Sequence, residues 1–192
     1  MSKFIHKGKE KKIIVQKMFD DISYNYDFLN HFLSFGIDIY WRRKFIKELP
    51  INNNSIVLDV ATGTGDIAFQ IKKKYGCQII GLDYSNKMLN KAVIKSNKKK
   101  TDNILFIQGD AEYLPIKNNS IDIITISYGF RNLGNFNKAL KEFNRVLKSG
   151  GMLGILEFSN PKSIIFSKFF KFYFKNILPF IGKILSGSNA YN

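Results

Sequence analysis

The chain is poor in the residues that most often announce a chemistry. It has one cysteine, two histidines and one tryptophan among 192 residues, and fifteen acids against thirty bases. With Cys77 alone, no disulfide can form within the chain, and no Cys/His cluster of metal-ligand spacing exists, so no metal is expected. His6 and His31 stand too far apart in sequence to suggest one. A reducing, cytoplasmic setting fits this cysteine usage. No run of about 18 uncharged apolar residues occurs, which argues against a transmembrane helix. The N-terminal MSKFIHKGKEKK lacks the apolar core of a secretory signal. Arginine is scarce as well: only Arg42, Arg43, Arg131 and Arg145 are not lysine among the thirty bases.

What is present is a chain of single-domain length with 45% hydrophobic and 15% aromatic residues, enough to bury a sizeable core. The formal charge is +15. Such a surplus invites nucleic acid or an anionic membrane as partner. The lysines, however, are spread along the chain in company with abundant Asn, Ile and Phe, a pattern that compositional drift explains equally well. No nucleic-acid partner is expected.

Residues 10–48 carry apolar positions at three- and four-residue steps and are predicted helical. Pro50 and the Asn52–Ser55 run close that region. Apolar strands then alternate with helices: strands at 55–60, 77–83, 104–110, 121–127 and 151–158, and helices at 66–74, from the Ser85 cap to 95, and at 137–147. Alternation of this kind predicts a mostly parallel sheet with helices on both faces, a Rossmann-like α/β fold, with ligands at the carboxyl ends of the strands. The helical cap is assigned 1–50, the α/β core 51–160, and an apolar, basic tail 161–192.

The first chemical signal is LDVATGTGD, Leu58 to Asp66. Gly63 and Gly65 follow a strand and open a helix, where free N–H groups meet a ligand. Gly63 to Ala68 satisfies G-x-G-x-x-G/A, so a nicotinamide dinucleotide is one reading. Asp59, Asp83 and Asp110 then end three successive strands. Asp83 can take both hydroxyls of a ribose, and Asp110 with the Ala111 N–H can read an adenine edge. Asp66 would oppose a pyrophosphate. An adenosine ligand with an amino group and a sulfonium, S-adenosylmethionine, suits these acids better.

At these residues a resemblance appears. VLDVATGTGD, GLDYS, GDAEYLPIKNNSID and RVLKSGGMLGILEFSNP resemble the class I S-adenosylmethionine-dependent methyltransferases. FDDISYNYDFLNHFLSFGIDIYWRR (19–43) and ISYGFRNL (126–133) resemble the two signatures of the menaquinone/ubiquinone biosynthesis C-methyltransferases, the UbiE/MenG family. The likeness runs from about Val15 to the end of the chain. It implies methylation of a ring carbon on a polyprenyl quinol such as demethylmenaquinol. It carries cofactor contacts to Thr64, Asp83, Asp110, Ala111 and Ser127, beside Asp59, Gly63 and Gly65 of the loop. Two departures stand out. Asp38 occupies roughly the position of a histidine in the first signature, and Lys148-Ser149-Gly150-Gly151 replaces the usual Lys-Pro-Gly-Gly turn. The family also continues past SGSNAYN into further sheet with an antiparallel closing strand. The expectation is therefore a shortened chain whose C-terminal strands are missing.

An aromatic ring carbon becomes nucleophilic when a neighbouring hydroxyl loses its proton, so the site must promote deprotonation and hold an oxyanion. Arg131 and Asn132 are the candidates for the quinol oxygen, with Asp110 or a water to carry the proton. Tyr26, Asp27 and Asn30 of the cap, with Tyr128 and Phe130, are the candidates for binding substrate, and Tyr24 and Trp41 read as lid or as packing. Ser163–Leu185 sets Lys168, Lys171 and Lys175 on one stripe among Phe and Ile, a pattern for a membrane interface or a polyprenyl tail. A peripheral position on the inner face of the membrane follows. The oligomeric state is open, with a homodimer among the allowed partners. Rival functions are a methyltransferase for another small molecule, a nicotinamide oxidoreductase, and a non-catalytic membrane- or RNA-binding remnant.

Overall fold

The computed structural model describes residues 8–23, 26–27, 31, 34 and 36–158. Five strands form one sheet in the order β3-β2-β1-β4-β5, and every neighbouring pair is parallel. They are β1 (Ile56–Val60), β2 (Gln78–Asp83), β3 (Ile104–Gln108), β4 (Ile121–Ser127) and β5 (Leu147–Leu156). The helices are α1 (Gly8–Ile22), α2 (Ile37–Lys47), α3 (Asp66–Tyr75), α4 (Asn86–Lys99) and α5 (Phe136–Val146). The first strand lies mid-sheet with β2 on one side and β4 on the other, so the chain reverses its direction of travel beside β1. That switch is where open α/β sheets place their ligands.

Because successive strand residues face opposite ways, β1 feeds two cores. Leu58 and Val60 join Leu82, Ile124 and Ile126 beneath Ala139, Phe143 and Val146 of α5. Val57 joins Ile79 and Ile123 on the other face, beneath Ile46 of α2 and Ile67, Ala68 and Ile71 of α3. Central strands buried on both faces read as continuous apolar runs, which explains how plainly SIVLDV and IDIITIS show in the sequence. Two helices start on side-chain caps. Ser85 Oγ accepts from the Met88 N–H, and Asn135 Oδ1 accepts from the Lys138 N–H, each worth about 1 kcal/mol.

Three boundaries differ from expectation. The third strand stops at Gln108, because the Gly109 N–H turns to the Asp83 carbonyl and Asp110 enters a separate bridge with Tyr113. The last strand begins four residues early. Leu147 pairs with Ile121 before the Ser149-Gly150-Gly151 turn, and Met152 pairs with Ile123 after it, so the turn is a bulge inside the strand. The N-terminal helical region is broken at Gly36, whose φ of 73° caps α2. Among the described residues β5 ends the sheet, and the tail at 163–185 lies outside them.

Candidate functional site

The carboxyl ends of β1, β2, β3 and β4 open onto a cleft of about 780 Å³, roofed by Val15, Gln16 and Phe19 of α1. Its floor includes Gly63, Asp83, Asp110, Ala111 and Ser127, and Tyr26, Tyr128 and Asn132 join its walls. A smaller recess of about 330 Å³ adjoins it, sharing Tyr26, Ala61, Gly63 and Ser127, and adds Asp59, Thr64, Asp66 and Arg42. The fold thus collects most of the expected site residues around one space. Gly65, Asp27, Phe130 and Arg131 are not in its walls. Gly65 turns the chain into α3 at φ 85°, where a Cβ would meet the Phe69 ring at 2.8 Å. Phe130 stacks on Phe136 at 5.1 Å and packs on the core. Asn30 and Tyr24 lie outside the described residues.

The acids differ in their company. Asp59 is buried, and its two oxygens accept from Thr62 Oγ1 at 2.6 Å and Thr125 Oγ1 at 2.7 Å. Burial pushes its pKa up to about 6 against those hydrogen bonds. Asp83 accepts from the Gly63 and Ser85 N–H groups, each at 2.8 Å. Burial still raises its pKa above the ordinary carboxylate value. Asp110 is already engaged: Lys12 Nζ lies 2.6 Å from Oδ2, and the Glu112 N–H donates to Oδ1. The same ammonium reaches Glu112 at 2.7 Å, so Asp110, with a donor on each oxygen, has little freedom to act as a base. Ser127 Oγ is buried with no hydrogen-bond partner among the described residues. A buried hydroxyl left unpaired at a strand end calls for a ligand or water.

Beneath the recess a charged network ties the cap to the loop after β1. Arg42, nearly buried, pairs with Asp66 at 2.5 Å and Asp38 at 3.2 Å. Lys95 of α4 pairs with Asp66 and Asp27 at 2.9 Å each, and Thr64 donates to Asp27. Burial pushes the Asp66 carboxyl upward, but Arg42 and Lys95 outweigh it and leave its pKa lowered. Contrary to the expectation from sequence, Asp66 does not stand as a bare charge against a pyrophosphate, because two cations offset it. His31 Nδ1 lies 2.8 Å from Asp38, so an imidazole does meet the position where the signature histidine is missing.

The loop after β4 is tightly built. A Cβ on Gly129 would fall 2.5 Å from that of Ala61, and both Ala61 and Tyr128 take positive φ, 53° and 58°. Tyr128 stacks on Phe158 at 4.5 Å. Arg131 lies at the exposed rim over Phe158, its guanidinium paired with Glu157. Sequence reasoning missed Lys12, Arg42, Lys95, Glu112 and Glu157. Only Arg42 carried a signal, as one of four arginines.

The residues present suit S-adenosylmethionine: carboxylates at or just past three strand ends, a Ser127 hydroxyl with no partner among the described residues, and a roof with Val15 and Phe19 in it. Residues 5–192 match the model of the ubiE/COQ5 methyltransferase family. The chain is 41% identical over its full length to the ubiquinone/menaquinone biosynthesis C-methyltransferase UbiE of Geotalea daltonii, covering 81% of that protein. It is 41% identical over 184 residues to the demethylmenaquinone methyltransferase of Staphylococcus carnosus, with 95% of this chain and 76% of that one covered. Among solved structures, an S-adenosylmethionine-dependent methyltransferase from Methanococcus maripaludis superposes with a TM-score of 0.68 at 25% identity, over 83% of this chain and 73% of that one. One from Aquifex aeolicus gives 0.60 at 27% identity, over 64% and 66%.

Proposed function

Because the chain belongs to the ubiE/COQ5 methyltransferase family, we propose that it transfers the methyl group of S-adenosylmethionine to a ring carbon of a polyprenyl quinol of the demethylmenaquinol type. The observation that carries the reading is the convergence of Asp83, Asp110 and the unpaired Ser127 hydroxyl on one cleft beside Tyr128 and Asn132. When bound, the cofactor supplies an electrophilic methyl on a sulfonium.

Asp83 would take the ribose hydroxyls, and Asp110 with Ala111 the adenine edge. Gly63, Thr64, Asp59 and Ser127 would line the methionine end, where the Asp59 carboxylate favours a nearby cation. Tyr26 and Tyr128 flank the adjoining space, where a flat ring would sit. Asn132 reaches the cleft wall and can donate to a quinol oxygen. Arg131 stands at the rim on Glu157, and a swing from that pair would set a fixed positive charge against the developing oxyanion. The hydroxyl proton would leave to water; the ring carbon would take the methyl as its bond to sulfur breaks and the neutral thioether departs, and the proton on that carbon would then pass to water to restore the aromatic ring. Among the described residues, Asp59, Asp83 and Asp110 are not unengaged bases, since both oxygens of each hold donors.

Calorimetry with S-adenosylhomocysteine, followed by mass analysis of a demethylmenaquinol analogue incubated with S-adenosylmethionine, tests this. Binding and a one-methyl mass gain are expected. Tight binding without methylation of any quinol would overturn the substrate, and no binding would overturn the enzyme.

A further inference from the structure

We propose that the outward face of α2 is a docking surface for an anionic lipid bilayer. Ile37, Tyr40 and Trp41 fall at i, i+3 and i+4 and form one stripe, exposed by 56%, 60% and 44%. The stripe continues into Lys44, whose ammonium lies 5.3 Å from the Trp41 ring. Arg43 and Lys47 flank it, all exposed, with Glu48 the one acid at that end. Lys74 adds a cation nearby, since it bonds Tyr75, whose hydroxyl reaches the Ile46 carbonyl.

Core packing does not account for this stripe. The opposite face of α2 already buries Asp38, Arg42 and Ile46, while Phe45 and Leu49 press on Gly154 of β5. Single exposed apolar residues are ordinary. Three large ones within about one helical turn, followed by cations at the C-terminal end of the helix, match an interfacial helix: aromatic rings at headgroup depth and bases against lipid phosphate. The net charge of +15 favours the same occupant.

The purpose of such docking rests on the quinol reading. Arg42, on the inner face of the same helix, lines the recess. A bilayer on the outer face would thus lie about 10 Å away, one helix diameter, and a prenylated substrate could bring its ring to the site with its tail still in lipid.

Trp41 is the only tryptophan, so its emission reports from this face alone. The full chain should float with vesicles of phosphatidylcholine containing phosphatidylglycerol and not with phosphatidylcholine alone. Its emission should shift to the blue and be quenched by brominated phospholipid. Ile37→Ser with Tyr40→Ser, and separately Arg43→Glu with Lys44→Glu, should each weaken partitioning about tenfold or more, with circular dichroism confirming the fold. Four results would overturn the proposal: no flotation; equal binding to both vesicles; flotation with Trp41 emission unmoved, as when the 163–185 stretch carries binding; or emission already blue and shielded from acrylamide without vesicles, as when the chain covers its own α2. Both double variants should keep parent turnover on a water-soluble short-chain quinol. A parent inactive on every quinol would sink the substrate reading and leave the docking result standing.

Discussion

Arg131 and Glu157 join the loop after β4 to the end of β5. The guanidinium pairs with the carboxylate, and the Arg131 N–H reaches the second oxygen of that carboxylate at 3.2 Å. The pair holds the Gly129–Leu133 turn against the neighbouring strand and parks a permanent cation at the rim of the cleft.

If that cation serves the oxyanion, Arg131→Lys should lower kcat about 100-fold, the cost of losing a fixed donor. The melting temperature should hardly move, because half-exposed pairs contribute about 1 kcal/mol at most. Glu157→Gln should cost less, about tenfold, since it spoils only orientation. Steady-state kinetics beside thermal melts check this, and a normal kcat in Arg131→Lys would leave the arginine only a loop pin.

Lys12 clamps α1 to the cleft by bonding both Asp110 and Glu112. Burial pushes its pKa down, but those two hydrogen bonds outweigh burial and leave it raised. The ammonium's contribution to stability should therefore persist below its ordinary 10.5 and fade only as pH climbs through the raised value. Lys12→Met strands two largely buried carboxylates and should cost about 2 kcal/mol, seen as a fall of about 4–8 °C in melting temperature. Adding Glu112→Gln should recover part of that loss.

Gly129 has an ordinary φ of −103°, so its constraint is space and not backbone angle. Gly129→Ala should destabilise by about 1–3 kcal/mol through overpacking on Ala61. Ala61→Gly removes the opposing methyl from a residue at φ 53°, and the double variant should return to within about 1 kcal/mol of the parent. Chemical denaturation of the four proteins gives the cycle, and a double variant no better than Gly129→Ala would place the strain elsewhere.

Asp59 ties β1 to β4 and carries a pKa raised from 3.8 to about 6. Between those values the folded state keeps a proton that the unfolded chain has lost. Its contribution to stability therefore falls as pH rises through that window and is lowest above it. Asp59→Asn keeps one acceptor oxygen, puts an NH2 donor in place of the other, to which a rotated threonine hydroxyl can accept, and removes the titration. Relative to the parent it should gain on the order of 2 kcal/mol between pH 4 and pH 7, measured by denaturation at each pH. A gap that stays constant with pH would contradict the buried charge.

The family and the sheet were legible because their signals are local. Val57 and Leu58 sit beside one another in an apolar run that only a strand buried on both faces tolerates. Gly63, Gly65 and the acids at 59, 83 and 110 mark strand ends by spacing alone. The roles within the site were less legible. Asp66 read as a bare negative charge until Arg42, 24 residues earlier, and Lys95, 29 residues later, were found on it. Asp110 read as a spare base until Lys12, 98 residues away, was seen to occupy it.

The sequence by itself determined the order of elements and set the candidate ligand residues at the carboxyl ends of the strands, since periodicity and turn residues act over a few neighbours, while the strand order and its switch beside β1 came from the fold. The tertiary structure alone decided the charge state of the site and the direction of Arg131. Those depend on which ions from distant segments meet in a low-dielectric cleft, and pairing at that range leaves no periodic trace in the chain.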